Sequence, residues 1–398
     1  MKVLYLTSYD SSFLQNQILD LKRIGNIDVH YNIHIDSWFL LHRKKGKLSS
    51  LLSSSQKESL KKDEQSVIIY PGFPKEYLAW TSPMYIAWKL SLKFKKGSFN
   101  LIHAQNGFPS GYVAYLLAKK WNIPYIVTSH GMDSYRCTPE SPQLGGANSF
   151  RQNVVALYKK ALTHADKTIG VSDSFAKFIE TIEPRANIMP IANSYNYSIF
   201  NTKQPINKPD NATFNEKDFI VLSTGYFIKR KGHIDIIKAI ASLNNKNIKI
   251  VIIGGGPLRD FLLDNAKELN IADNILLINH IKQEELVNWY RAADLFIFPS
   301  IHEPFGLGLV EAMACGIPAI ATKTFGPLEI IEEGKNGYLV DKHSPKQIAN
   351  KVDFLFNNPE KLSEMGDYAA KSVYNRYAKK NEELFNLYKR VIKDYDQK

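Results

Sequence analysis

The chain has 398 residues, 44% hydrophobic and 23% charged, which is ordinary for a soluble globular protein and long enough for two or three domains. Its 51 Lys and Arg outnumber 39 Asp and Glu, a net charge of +12, and two cysteines exclude a disulfide framework and point to a reducing compartment. No run approaches ~20 uninterrupted apolar residues, which argues against a spanning helix, and the opening MKVLYLTSYD reads as a buried strand rather than a signal peptide. A cytoplasmic protein is expected, with peripheral contact at the inner face of a membrane as an option.

Taken in chain order, short apolar runs alternate with helical patterns, the sign of parallel α/β sheets. Strands are predicted over 3–8, 29–35, 66–70, 101–105, 125–130 and 167–172, then over 219–225, 248–256, 274–279, 294–300 and 318–323. Helical patterns cover 111–121, 233–243, 257–270, 284–293 and 306–315. The polar stretch 200–218 holds two prolines and reads as a linker, dividing the chain into 1–200 and 201–379; an amphipathic helix follows over 380–392. The Ser-rich 48–56 reads as a loop or short helix.

Charge is uneven. Residues 1–200 carry 24 Lys and Arg against 14 Asp and Glu, a balance of +10, whereas 201–398 carry 27 against 25, a balance of +2. The excess gathers at Arg43, Lys44, Lys45 and Lys47, at Lys57, Lys61 and Lys62, and at Lys89, Lys93, Lys95 and Lys96. Residues 84–97 mix Trp88, Leu92 and Phe94 with those lysines. This fits a surface helix packed on its domain, or an interfacial helix facing anionic lipid or an acidic acceptor. Nucleic acid is not expected, because no helix-turn-helix, RNA-binding or zinc-finger pattern is present.

The densest chemistry lies in EPFGLGLVE, where Glu303 and Glu311 bracket a Gly-bearing turn after the strand-like DLFIFPS. A strand, a Gly loop and a helix start bring backbone N–H groups to a phosphate. Glu303 falls in the loop, and Glu311 one to two turns into the helix, where a carboxylate can accept from vicinal hydroxyls. Together these suit a nucleotide-sugar, with diphosphate on the amides, ribose on one Glu and sugar on the other. GYFIKRKG follows another strand: Gly225 and Gly232 let backbone approach a ligand, and Lys231 can neutralise a departing diphosphate. SHGMD sets His130 at a strand's C-terminal edge, where α/β sheets bind ligands. GGGP, with Gly255, and NHI, with Ile281, follow two further strands. DYD, Asp394 to Asp396, has a D-x-D pattern but lies in the charged tail and reads as solvated, and no convincing metal cluster is present.

These strings resemble the E-x7-E motif and its companions in retaining glycosyltransferases of the GT-B fold, especially glycosyltransferase family 4. The resemblance implies two Rossmann-like domains facing a central cleft: an acceptor-side domain over 1–200, a nucleotide-sugar domain over 201–379, and a helix over 380–398 crossing back to the first domain. It implies catalytic roles for His130, Lys231 and Glu303, and donor contacts from Gly225, Lys231, Gly255, Ile281, Phe305, Gly306, Leu307 and Glu311. Glu303 would orient the sugar and Glu311 hold the ribose. His130 would touch the sugar by backbone carbonyl or ring, and His103 is read either as a related site residue or as a packing group.

The sequence departs from the family at Tyr226, which stands where an Arg is usual, with Lys229 or Arg230 as candidate substitutes. It departs also at Ser194 and Phe325, each in place of Gly, and at TSYDSSF, which replaces a Gly-Gly loop. The implied reaction is metal-independent transfer, with retention, from a nucleoside-diphosphate sugar (UDP favoured) to a hydroxyl of a glycan or lipid-linked acceptor, without any cofactor. Surface-polysaccharide or lipid-linked glycan assembly is the implied setting. The rival readings are a non-catalytic partner on the same fold, a nucleotide-sugar epimerase and a glycan phosphorylase.

Overall fold

Runs such as IKIVII are apolar at nearly every position because a parallel strand is covered on both faces, and they form the centres of two sheets. The computed structural model describes residues 1–8, 11–36, 65–70, 81–139, 149–203, 215 and 217–397. The basic positions between Arg43 and Lys62, the Ser-rich 48–56, Tyr9 and Asp10, and most of the 200–218 linker lie outside the described residues. Two compact units emerge, one comprising Met1–Ser141, Asn148–Ala192 and Lys380–Lys398, the other built on Asn193–Lys379.

The first unit holds strands β1 (Lys2–Thr7), β2 (Asp28–Asp36), β3 (Gln65–Tyr70), β4 (Leu101–Ala104), β5 (Tyr125–Ser129), β6 (Lys167–Gly170) and β7 (Ile188–Pro190). Among the described residues they form one parallel sheet in the order β3-β2-β1-β4-β5-β6-β7. Register places Tyr5 beside His103. Ser11 caps the Ser12–Ile24 helix, its hydroxyl accepting from Leu14 N at 3.2 Å. The last helix, Lys380–Asp396, inserts Leu384, Leu387, Tyr388 and Val391 into the core made by Val3, Tyr5, Leu14, Ile18 and Leu21.

The second unit holds β8 (Phe219–Thr224), β9 (Ile248–Ile253), β10 (Ile275–Ile278), β11 (Leu295–Phe298), β12 (Ala319–Thr322) and β13 (Gly337–Val340). They pair in parallel in the order β10-β9-β8-β11-β12-β13. Its core joins Val221, Ile250, Ile252, Leu295 and Ile297 of the strands to Ile236, Ile240, Val352 and Leu355 of the helices.

The predicted strands are all present within a few residues of their expected bounds. Two others, β7 and β13, were not predicted: β7 has three residues and ends on Pro190, and β13 has four and begins on Gly337. Among the described residues no helix is long and apolar enough to cross a membrane.

Leu387 is fully enclosed on the last helix, so Leu387→Ala leaves a cavity beneath β1. The expected loss is about 2–5 kcal/mol of stability, measured as a lowered urea midpoint; an unchanged midpoint would show that this helix does not complete the core.

Candidate donor-binding and catalytic site

In the second unit the chain runs from β8 outward to β9 and β10, then returns to β11 on the other side of β8. The loops leaving β8 and β11 therefore diverge above two adjacent strands, the place where open α/β sheets bind ligands. The β8 loop turns through Gly225 into a 3-10 turn, Lys229–Lys231, and ends at Gly232. Gly232 has φ +66°, and a Cβ there would lie 2.1 Å from the Pro299 carbonyl oxygen, so the loop can lie on the β11 end only with glycine.

That approach brings Lys231 onto Glu303, with Nζ 2.7 Å from Oε2. Their side chains are only 15% and 13% exposed. Burial lowers the Lys231 pKa, and the Glu303 carboxylate pulls it back up. Lys231 Nζ also lies 5.2 Å from the Phe298 ring centroid. Arg230 donates to the His302 carbonyl at 2.9 Å, and its Nη1 is 4.0 Å from Glu303 Oε2. Tyr226, by contrast, is exposed. Of the two candidates to replace the usual Arg, Arg230 thus lies against the Lys231–Glu303 pair.

Past Glu303, the chain reaches the Leu307–Ala314 helix through Gly306, whose φ of +105° suits glycine. No side chain caps this helix and its first turn carries no acidic group. Its first amides therefore keep their donors and the positive end of the helix dipole for an anion. The Phe305 side chain is buried against Tyr377, ring centroids 5.4 Å apart, so it is the backbone of Phe305 that is available to a ligand. The turn is braced from behind: Gly326 N donates to the Glu303 carbonyl at 3.1 Å.

Glu311 is buried in the same helix, beneath Tyr290. Burial pushes its carboxyl up to about 8, against the opposing effect of a hydrogen bond from the Tyr290 hydroxyl. Two supports went unread in the sequence. One is Tyr290 itself, whose hydroxyl also reaches Thr224 Oγ1 and the Gly308 carbonyl, both at 3.3 Å. The other is His233, whose Nε2 lies 3.3 Å from the Gly225 carbonyl and Nδ1 3.4 Å from Ser223 Oγ. Burial drives His233 down to about 3, so it holds the loop as a neutral ring.

Neighbouring loops supply the remaining positions. Gly225 N donates to the Ile253 carbonyl at 2.9 Å and Phe227 N to the Gly255 carbonyl at 2.7 Å, which ties the β8 and β9 loops together. A Cβ on Gly255 would meet nothing within 4 Å. Ile281 is half-buried in the loop after β10. The structure thus joins Lys231 to Glu303 by direct contact and links Gly225 to Gly255 through adjacent loops. Phe305, Gly306, Leu307 and Glu311 share one turn and helix.

His130 belongs to the first unit and follows β5. Its sheet has a corresponding reversal between β1 and β4. His130 Nε2 lies 2.9 Å from Gln105 Oε1, beyond the end of β4, and Phe13 meets the ring edge-on at 5.8 Å. Burial pushes His130 down to about 4. His103 is wholly enclosed, with Nδ1 2.5 Å from Tyr388 OH and Nε2 2.7 Å from Thr128 Oγ1. Asp133, the last residue of SHGMD, accepts from Gly107 N and from Ser129 Oγ, which fixes the turn that carries His130. Gln105 and Tyr388 carry no sequence signal of their own, since neither lies in a recognisable motif.

The Glu311 carboxyl provides a pH test. Its folded value is raised from the ordinary 4.5 to about 8, so its contribution to stability is complete below pH 4.5 and is lost as pH rises through 8. The stability of the wild type relative to Glu311→Gln is expected to fall across that window by a few kcal/mol, on a scale of ~1.4 kcal/mol per pH unit. Urea midpoints at several pH values measure it; a difference that does not vary with pH is the contrary result.

Residues 206–372 match the family described as Glycosyl transferases group 1, and residues 44–197 match Glycosyltransferase Family 4. An uncharacterized glycosyltransferase of Methanocaldococcus jannaschii is 32% identical over 270 residues, 67% of this chain and 68% of that protein. The N-acetyl-alpha-D-glucosaminyl L-malate synthase of Bacillus anthracis is 26% identical over 327 residues, 80% of this chain and 82% of the synthase. Among solved structures, sucrose-phosphate synthase of Thermosynechococcus elongatus matches with a TM-score of 0.76 at 18% identity, covering 99% of each chain. Anabaena HepE in complex with UDP and glucose matches with a TM-score of 0.74 at 18% identity, covering 97% of this chain and 99% of that one. With its two parallel sheets, the chain has the GT-B fold and belongs to glycosyltransferase family 4.

Proposed function

We propose that this glycosyltransferase moves a hexosyl group, with retention, from a nucleoside-diphosphate sugar to a hydroxyl of a glycan or lipid-linked acceptor. The observation that carries the reading is the Lys231–Glu303 pair, 2.7 Å apart, beside the uncapped start of the Leu307–Ala314 helix. Fixed positive charge there meets a leaving diphosphate without reorganisation at the moment of reaction. The second unit is assigned to the donor, the first to the acceptor side, and the last helix to the first unit's scaffold. HepE, similar in fold, was crystallised with UDP and glucose, which favours a UDP-hexose.

In this scheme the diphosphate lies on the amides of Phe305, Gly306 and Leu307 and along Gly225 and Gly255. It takes up Lys231, which releases Glu303 to accept from sugar hydroxyls. Glu311 accepts the ribose diol from its buried position, and the backbone at Ile281 meets the base. His130 touches the sugar near the reacting carbon. The bond between the anomeric carbon and the diphosphate oxygen breaks, the acceptor oxygen bonds to the same face, and the acceptor proton passes to the departing phosphate oxygen. Neither Glu303 nor Glu311 forms a covalent intermediate.

A second observation favours work at a membrane surface. The Thr81–Lys93 helix exposes Met84, Trp88 and Leu92 at 49%, 52% and 66%, a stripe at four-residue spacing. Lys89, Lys93, Lys95 and Lys96 are exposed beside it. An apolar stripe edged by lysines fits peripheral contact with an anionic inner leaflet, as lipid-linked or surface-polysaccharide assembly requires.

A UDP-hexose should raise the melting temperature by mass action. Lys231→Ala and Glu303→Ala should each cut kcat for transfer by about 10²–10³; unchanged transfer in both would refute the site. Release of nucleotide only with acceptor separates transfer from epimerase, phosphorylase and non-catalytic readings. Co-sedimentation should be stronger with anionic than with neutral vesicles and weaker in a Trp88→Ala, Leu92→Ala variant, whereas binding indifferent to lipid charge argues against the membrane face.

A further inference from the structure

A polar chain crosses the core of the first unit. Tyr5, His103, Gln105 and Tyr388 are each fully enclosed. Burying four such groups among apolar neighbours is costly unless every one is hydrogen-bonded. Tyr5 OH lies 2.5 Å from Tyr388 OH, Tyr388 OH 2.5 Å from His103 Nδ1, and His103 Nδ1 3.3 Å from Gln105 Nε2. Gln105 Oε1 then lies 2.9 Å from His130 Nε2. The chain thus runs from the last helix, through β1 and β4, to the histidine at the end of β5.

We infer that Tyr388 is a positioning residue that selects the tautomer of His130 through His103 and Gln105; this rests on the proposed role of His130. Two proton orders fit these contacts, since either hydroxyl of the 2.5 Å Tyr5–Tyr388 contact can donate; the inferred relay takes Tyr5 as donor to Tyr388 rather than to Gln17 Oε1 at 3.4 Å. Tyr388 then donates to His103 Nδ1, which makes that nitrogen an acceptor and places the His103 proton on Nε2, facing Thr128 Oγ1 at 2.7 Å. With Nδ1 an acceptor, Gln105 must turn its NH2 group toward it and its carbonyl oxygen toward His130.

A carbonyl oxygen only accepts, so His130 carries its proton on Nε2 and keeps the lone pair on Nδ1. Burial holds both histidines in the neutral form in which this choice exists, at about 3 for His103 and about 4 for His130. Without the Tyr388 hydroxyl, His103 is free to take its proton on Nδ1 and accept from Thr128. Gln105 then reverses, and its NH2 group meets His130 Nε2, which moves the His130 proton to Nδ1.

The test uses the full chain labelled with 15N-histidine, and long-range 1H–15N spectra read the imidazole tautomers. The wild type is expected to hold His130 as Nε2–H, and Tyr388→Phe to shift it to Nδ1–H or a mixture. In Tyr388→Phe, kcat is expected to fall about 10-fold, with the donor KM within about 2-fold. Gln105→Leu cuts the chain nearer His130 and should lower kcat at least as far; adding Tyr388→Phe to it should then cost nothing more. An unchanged His130 tautomer in Tyr388→Phe, or an equal loss of kcat from Tyr388→Phe with and without Gln105→Leu, overturns the relay. Should His130→Ala transfer sugar at the wild-type rate, the proposed role of His130 fails, while the tautomer spectra still decide the relay.

Discussion

The ion pair between Lys231 and Glu303 is the contact on which the second unit's site depends. The two residues leave neighbouring strands, β8 and β11, whose pairing is set by register, yet 72 positions separate them in the chain. Bringing an ammonium and a carboxylate to 2.7 Å with little exposure requires the loops to touch, and the Gly232 backbone against Pro299 makes that contact possible. The cost of partly desolvating both charges is offset only while they stay paired. In the proposed reaction the pair acts as a stand-in, each partner held at low exposure for a ligand of opposite or hydrogen-bonding character.

The neighbouring groups follow the same logic. The start of the Leu307–Ala314 helix adds a second source of positive potential that no side chain neutralises. Glu311, enclosed and pushed toward protonation, adds a carboxyl whose charge is unfavourable until donors reach it. In the first unit the principle is reversed: the histidines are kept neutral by burial, and hydrogen bonds rather than charges fix their orientation. Charge thus dominates the buried polar contacts of one half, and hydrogen-bond direction those of the other.

Much of this was legible in the residues. Apolar runs located all the strands but β7 and β13 among the described residues, and the Gly-bearing loops after them marked where Lys231, Glu303 and Glu311 would lie. What stayed hidden depends on partners distant in sequence. His233 reads as the first residue of an ordinary amphipathic helix, and only the fold shows it bracing the Gly225 carbonyl. Gln105 follows a short strand without any motif, and Tyr388 occupies a regular core position of the last helix. Their roles arise because β1 and β4 pair side by side and that helix closes over them. Pairwise contacts of this kind leave no periodic trace, unlike the burial of a face.

The last helix carries one more consequence, for the order in which the protein can be made. Leu384, Leu387, Tyr388 and Val391 supply part of the core of a unit whose other residues end at Ala192. During synthesis the first unit therefore emerges with its apolar face open and remains so until the whole second unit has left the ribosome. Domains usually fold as independent units, amino-terminal first; here the amino-terminal unit is among the last to be completed. Such a chain carries its own check on completeness, since a product interrupted anywhere in the second unit leaves the first one unfinished.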